Sequence, residues 1–178
     1  MILTEFLAQD NIRLDVVASS KKRVLELVGK YAADYLNQQG YCDIPHTSDE
    51  HAICPLECFG SLFKREKLGS TAINNGVALP HAKLPENHLL KLDKPMALLL
   101  RLEQAVDYEA NDNKPVDLIY AVLFPAQCCE SYRGVLPKMA EALSDKGLIK
   151  RLRQAETSED IWHILSMSEH EDVESTVE

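Results

Sequence analysis

The chain has 178 residues, enough to bury one hydrophobic core, and its 46% hydrophobic and 26% charged residues are those of an ordinary globular domain. A net charge of −9 argues against DNA or RNA as a partner, because phosphate backbones select basic surfaces. No apolar run approaches the ~20 residues that span a bilayer, and the start, MILTEFLAQD, has no basic segment leading into an apolar one, so no membrane insertion and a cytoplasmic location are expected.

Residues 1–18 hold short apolar segments that read as a lead-in packed on the domain. Ser19 or Ser20 can cap a helix. Val24, Val28, Tyr31 and Tyr35 then recur at helical spacing, with Leu25, Ala32 and Leu36 beside them, which predicts a helix over about 21–38. Residues 40–54, GYCDIPHTSDEHAIC, have no apolar period and read as an inserted loop. Pro55 suits a first helical position, and Leu56, Phe59, Leu62 and Phe63 give a second helix its apolar face as far as about Lys67. Val77, Ala78 and Leu79 read as a short buried strand. Pro80 stops it, because proline has no N–H for a ladder, and so delivers His81 at a strand end.

The run MALLLRL after Pro95 and the segment 116–124, VDLIYAVLF, read as further strands, the second buried on both faces and ended by Pro125. Residues 110–114 between them are turn material. Tyr132, Val135, Leu136, Met139 and Leu143 mark a helix that Pro137 should kink or shorten, and Leu148, Ile149 and Leu152 mark the next. Thr157 with Asp160 resembles a capping box for a last helix bearing Ile161, Ile164 and Leu165. Helices and strands interleave, so a single α/β domain over 1–168 is expected, with helices on both faces of one sheet and an acidic, fraying tail at 169–178.

The chemistry concentrates in KREKLGSTAINNGVALPHAKL, residues 64–84. A neutral imidazole is a nucleophile near pH 7, and a phosphoryl group taken onto it needs donors already in place. Arg65 supplies a guanidinium whose fork suits phosphate, Ser70 and Thr71 supply hydroxyls, and Gly69 and Gly76 allow turns that aim backbone N–H groups inward. Each element alone has an ordinary reading. A histidine after a proline is more often structural than reactive, Arg65 can simply end a helix, and glycines can simply make turns.

The combination REKLGST, NGVALPH and AKL resembles the phosphorylation-site region of the phosphotransferase-system IIA proteins of the fructose/mannitol type, most strongly their nitrogen-regulatory branch. SSKKRVLELV is similar to that family's first helix, DNKPVDLIYAVLFPA to its central strand and LSDKGLIKRLRQA to its late helices, so the resemblance covers about residues 3–166. It implies a three-layer fold with a mixed sheet between helices. It implies His81 as the phosphoryl acceptor and Arg65 as the cation beside it, with phosphate arriving from an HPr- or NPr-type carrier and no cofactor in the step. It also implies a regulator whose partners respond to its phosphorylation state. Some family members carry a further histidine after the central strand; here CCESYRGVLPKMAEAL has none, and Tyr132 and Gly134 stand in the corresponding region.

Two other readings compete: a sugar-transport IIA component that passes phosphate to a separate IIB protein, and a binding regulator that has lost phosphotransfer. A hydrolase using His81 as a general base has no visible Ser–His–Asp or metal set to support it. Cys42, His46, His51, Cys54 and Cys58 crowd one region, but they lack the tight CxxC pairs of structural zinc sites, and no metal is expected. Five cysteines, including the adjacent Cys128 and Cys129, read as reduced thiols rather than a disulfide framework.

Overall fold

Two hydrophobic strands form the middle of the sheet. β4 (Met96–Val106) and β5 (Val116–Phe124) pair antiparallel, and their side chains alternate between two cores. Leu98, Leu100, Ile119 and Ala121 face one core; Ala97, Leu99, Tyr120 and Val122 face the other. The computed structural model describes residues 2–38, 54–87, 90–128 and 130–174. Around the central pair, β1 (Leu7–Val16) lies parallel to β4, and β2 (Val77–Ala78) and β3 (His81–Lys83) both lie parallel to β5. The sheet is mixed and runs β1-β4-β5-β2, with β3 on the same side of β5 as β2.

Helices cover both faces. α1 (Lys21–Gln38) and α2 (Pro55–Glu66) pack on one; α3 (Val135–Ala142), α4 (Lys146–Gln154) and α5 (Ser158–Glu174) bury their apolar residues in the other core. This is the expected three-layer α/β domain. Local chemistry sets the boundaries. The Ser20 hydroxyl accepts the Arg23 N–H at 3.1 Å, Asp145 caps α4 through the Gly147 and Leu148 N–H groups, and Thr157 and Asp160 exchange the reciprocal bonds of a capping box. Arg101 reaches from β4 to donate to the Leu152 and Ala155 carbonyls at the end of α4.

Four details depart from the expectations, and a fifth, at Pro137, selects between two of them. Residues 1–18 hold the edge strand β1 and are not merely a lead-in; the polar run Gln9–Asn11 leaves only Ile12, Leu14 and Val16 in alternation, too short a stretch to announce it. Leu56 is exposed, so the apolar face of α2 starts at Cys58 and Phe59. Pro80 interrupts the edge strand without ending it. β2 and β3 keep one register along β5, from Val77 opposite Leu118 to His81 opposite Val122, so His81 begins a strand. Of the two effects expected of Pro137, a kink or a shortened first half, the helix shows the second. Glu130–Tyr132 form a short 3₁₀ turn and α3 starts at Val135, which puts the proline in the first turn, where an N–H has no intrahelical acceptor. The backbone of α5 stays helical to Glu174, into the acidic tail, where no proline or glycine breaks it. Residues 40–53 of the expected loop, with Cys42, His46 and His51, lie outside the described residues, as does Cys129.

A buried polar network fixes the end of α2. Glu66 is only 6% exposed. Its carboxylate accepts the Thr71 N–H at 2.8 Å and the Thr71 hydroxyl, and it pairs with Lys21 at 2.8 Å. The Tyr108 hydroxyl lies 3.4 Å from that of Thr71, and burial raises its pKa above the usual tyrosine value. Ser70 donates to the Tyr108 carbonyl at 2.9 Å. The start of α1, the end of α2 and the turn into β2 therefore meet on one carboxylate.

Glu66→Ala leaves Lys21 and two Thr71 donors without their acceptor, and it is expected to cost about 3–5 kcal/mol in urea unfolding. Gly29 lets α1 cross α2 closely: a Cβ there would lie 2.9 Å from both the Phe59 nitrogen and the Pro55 oxygen. Gly29→Ala must separate the two backbones and is expected to lose roughly 1–3 kcal/mol in the same measurement.

Candidate functional site

The interrupted edge strand decides how His81 is held. Leu79 donates its N–H outward to the Thr71 carbonyl, and Val122 of β5 donates to the Pro80 carbonyl, so the ladder along β5 is interrupted only at the missing Pro80 N–H. The Leu79 carbonyl turns instead to the imidazole, where Nδ1 lies 2.9 Å away. A carbonyl can only accept, so Nδ1 carries the proton and Nε2 keeps its lone pair. Burial pushes the pKa of His81 below its ordinary 6.5, and the Arg65 charge pushes the same way; the Leu79 bond and Glu66 oppose this without reversing it. The neutral imidazole is thereby favoured.

His81 opens onto a cavity of about 650 Å³ at the carboxyl ends of the parallel strands β3 and β5, a position where α/β sheets commonly bind ligands. Helix α2 and the turn after it form one wall with Ser61, Lys64, Arg65 and Leu68. The other wall follows β5: Phe124, Tyr132, Arg133 and Leu136. Tyr132 is anchored edge-on against Phe6, with ring centroids 5.5 Å apart. Lys83, two residues along β3 from His81, shares its side of the strand and also lines the cavity. Four cations thus surround the imidazole's opening. The one acidic side chain among the lining residues, Glu130, is paired with Arg133. Arg65 Nη1 donates to the Gly69 carbonyl at 3.0 Å, which fixes the guanidinium at the end of its helix.

His81 and Arg65 therefore come together as the sequence suggested, but Ser70, Thr71 and Gly76 do not line this cavity. Ser70 and Thr71 spend their hydroxyls on the Tyr108 carbonyl and Glu66. Gly76 lies at the opposite end of the edge strand, next to Arg153. There it adopts φ +79°, and a Cβ would fall 2.5 Å from the Arg153 guanidinium. Arg153 donates to Asp117 at 2.8 Å and to the Asn75 carbonyl at 2.6 Å, so DNKPVDL and LIKRLRQA meet as a structural clamp. Lys83, Phe124 and Arg133 were not singled out from sequence. Only the two-residue spacing of Lys83 from His81 could have pointed to one of them.

Cys128 lines the cavity as a thiol. Cys58 is buried, and burial, with the Glu57 charge added, pushes its thiol up to about 12, which disfavours the thiolate that metals bind. Among the described residues no group of three or more His, Cys, Asp or Glu side chains is arranged to hold a metal. Among them, too, no helix is long and apolar enough to cross a membrane.

Known proteins share both the sequence and this architecture. The chain is 38% identical over 169 residues to a nitrogen regulatory protein homolog of Haemophilus influenzae, covering 95% of this chain and 93% of that one. It is 34% identical over 167 residues to the nitrogen regulatory protein of Escherichia coli, covering 94% and 91%. Among solved structures, the nitrogen regulatory protein IIA-Ntr from Neisseria meningitidis superposes with a TM-score of 0.73 at 29% identity, over 90% of this chain and 97% of that one. The model of the phosphoenolpyruvate-dependent sugar phosphotransferase system EIIA 2 family matches residues 5–168, and the chain belongs to that family.

Proposed function

We propose that the protein is a cytoplasmic regulatory phosphocarrier, with residues 1–168 as its working domain. His81 accepts a phosphoryl group from an HPr- or NPr-type carrier, and partner proteins respond to whether it is phosphorylated. The observation that carries this reading is the bond from Nδ1–H to the Leu79 carbonyl beside a cationic cavity. It leaves Nε2 as the only ring nitrogen able to attack.

In the proposed step the Nε2 lone pair forms a bond to phosphorus as the carrier's N–P bond breaks, and that electron pair stays on the carrier's imidazole. Nδ1 keeps its proton, and the Leu79 carbonyl accepts from the ring, now cationic. Arg65, held by Gly69, stands where charge accumulates on the phosphoryl oxygens. Lys64 and Lys83 add field without a fixed geometry. Leu68, 82% exposed at the rim, offers apolar surface to a docking protein.

The variant His81→Ala, incubated with phosphoenolpyruvate, enzyme I and carrier, is expected to take no label, while the wild type takes one phosphate mapped to His81. Label on the alanine variant would remove His81 from the reaction. Arg65→Ala is expected to slow labelling or shorten the life of the phosphorylated form by roughly 10-fold or more, the scale of a charge-assisted hydrogen bond.

The pH dependence has a defined sign. The neutral ring is the nucleophile and its pKa lies below 6.5, so the rate of acceptance is expected to rise with pH and level off with a midpoint under 6.5. By the same shift the unfolded chain binds the extra proton more readily, so this residue's contribution lowers stability as pH falls below 6.5. A midpoint above 6.5, once the carrier's own titration is subtracted, would contradict the assignment.

A further inference from the structure

We infer that Arg133 is a second phosphate-coordinating residue, stored on Glu130 in the unphosphorylated protein and transferred to the phosphoryl group once it reaches His81. The inference rests on His81 being the acceptor.

The walls of the cavity come from opposite faces of the sheet. Arg65 belongs to α2 on one face. Arg133 follows the 3₁₀ turn at Glu130–Tyr132, whose Tyr132 packs into the core on the other. His81 lines the cavity between them, so a phosphoryl group on its ring enters that space. It presents three oxygens, more than one guanidinium satisfies, and Arg65 already spends one N–H on Gly69. The lysines bring compact single-point charges, whereas Arg133 brings a second planar fork from the far wall.

Its present partner is easily exchanged. Arg133 Nη2 lies 3.2 Å from Glu130 Oε1, and the two side chains are 81% and 83% exposed. An exposed ion pair three residues apart contributes little to stability. Without phosphate, the pair also masks a carboxylate that would otherwise repel an incoming anion. With phosphate present, a group of nearly two negative charges competes with a single carboxylate for the same guanidinium. Arg133 moves to the phosphoryl oxygens and Glu130 is released to solvent. Tyr132, held by Phe6, keeps the backbone of the turn in place while these side chains exchange partners. Phosphorylation is thereby converted into a change of exposed charge at the start of α3, where a partner protein can read it.

The test measures the rate of His81 labelling and the hydrolysis half-life of the phosphorylated form in the wild type, Arg133→Ala, Arg133→Lys and Glu130→Gln. Arg133→Ala is expected to shorten the half-life about tenfold, the effect of one lost charge-assisted hydrogen bond. Arg133→Lys should recover part of it, and Glu130→Gln should leave it unchanged or longer. The melting temperature of unphosphorylated Arg133→Ala should match the wild type, because the pair is exposed. Equal half-lives in the wild type and Arg133→Ala overturn the assignment of Arg133 while leaving His81 as acceptor. A half-life shortened equally in Glu130→Gln also overturns it, since the ion pair itself would then be what matters. Absence of label on wild-type His81 overturns the underlying reading, and this proposal with it.

Discussion

The site depends on a break in one edge strand. Proline has no N–H, and at the edge of a sheet its absence from the ladder is tolerated. Leu79 and Pro80 drop out of the strand while Val77–Ala78 and His81–Lys83 hold the same register against β5. Leu79 sits on the outward side of the strand, and its carbonyl fixes the imidazole. A strand that simply ended at Pro80 would leave His81 on a loop. The strand combines the rigidity of a sheet with one outward-facing acceptor, and it places both beside the cavity.

Charge is organised around that ring in two layers. Nearest the opening are cations in solvent contact, suited to an anion that comes and goes. Behind them is Glu66, buried and fully engaged by Lys21 and Thr71. A buried carboxylate so close to a cationic cavity would be costly if it were unpaired. Here it is the anchor for the turn that leads from α2 to β2. The residue beside it in sequence, Arg65, inherits its position from that anchor and from Gly69. The hydroxyls of Ser70 and Thr71 thus act at one remove: they set where the guanidinium stands, and they do not reach into the cavity.

Much of the fold was legible in the sequence because it follows from periodicity and from caps. α1 begins where Ser20 offers its hydroxyl, α5 begins at its capping box, and the run 116–124 is a central strand because it is apolar on both faces. β1 is hidden because the polar run Gln9–Asn11 leaves only Ile12, Leu14 and Val16 in alternation. Pro137 shortens its helix and does not kink it, because the 3₁₀ turn moves the helix start to Val135 and leaves the proline in the first turn. Within the site, His81 and Arg65 came from a motif. The hydroxyl pair was assigned by chemical type alone; its partners, Glu66 and Tyr108, are set by tertiary packing. Gly76 was read as a phosphate turn, and only the fold brings Arg153 and Asp117 against it. Arg133 had no signal at all, since a lone arginine in a helix-forming segment usually means solvent.

The central claim is that the fold selects one imidazole nitrogen as nucleophile. Two-bond ¹H–¹⁵N correlation spectra of His81, recorded near neutral pH before and after phosphorylation, test it most directly. The Leu79 bond predicts a neutral ring with Nδ1 protonated and Nε2 bare, followed by attachment of phosphorus at Nε2. A free protein with the proton on Nε2, or phosphorus attached at Nδ1, would contradict it.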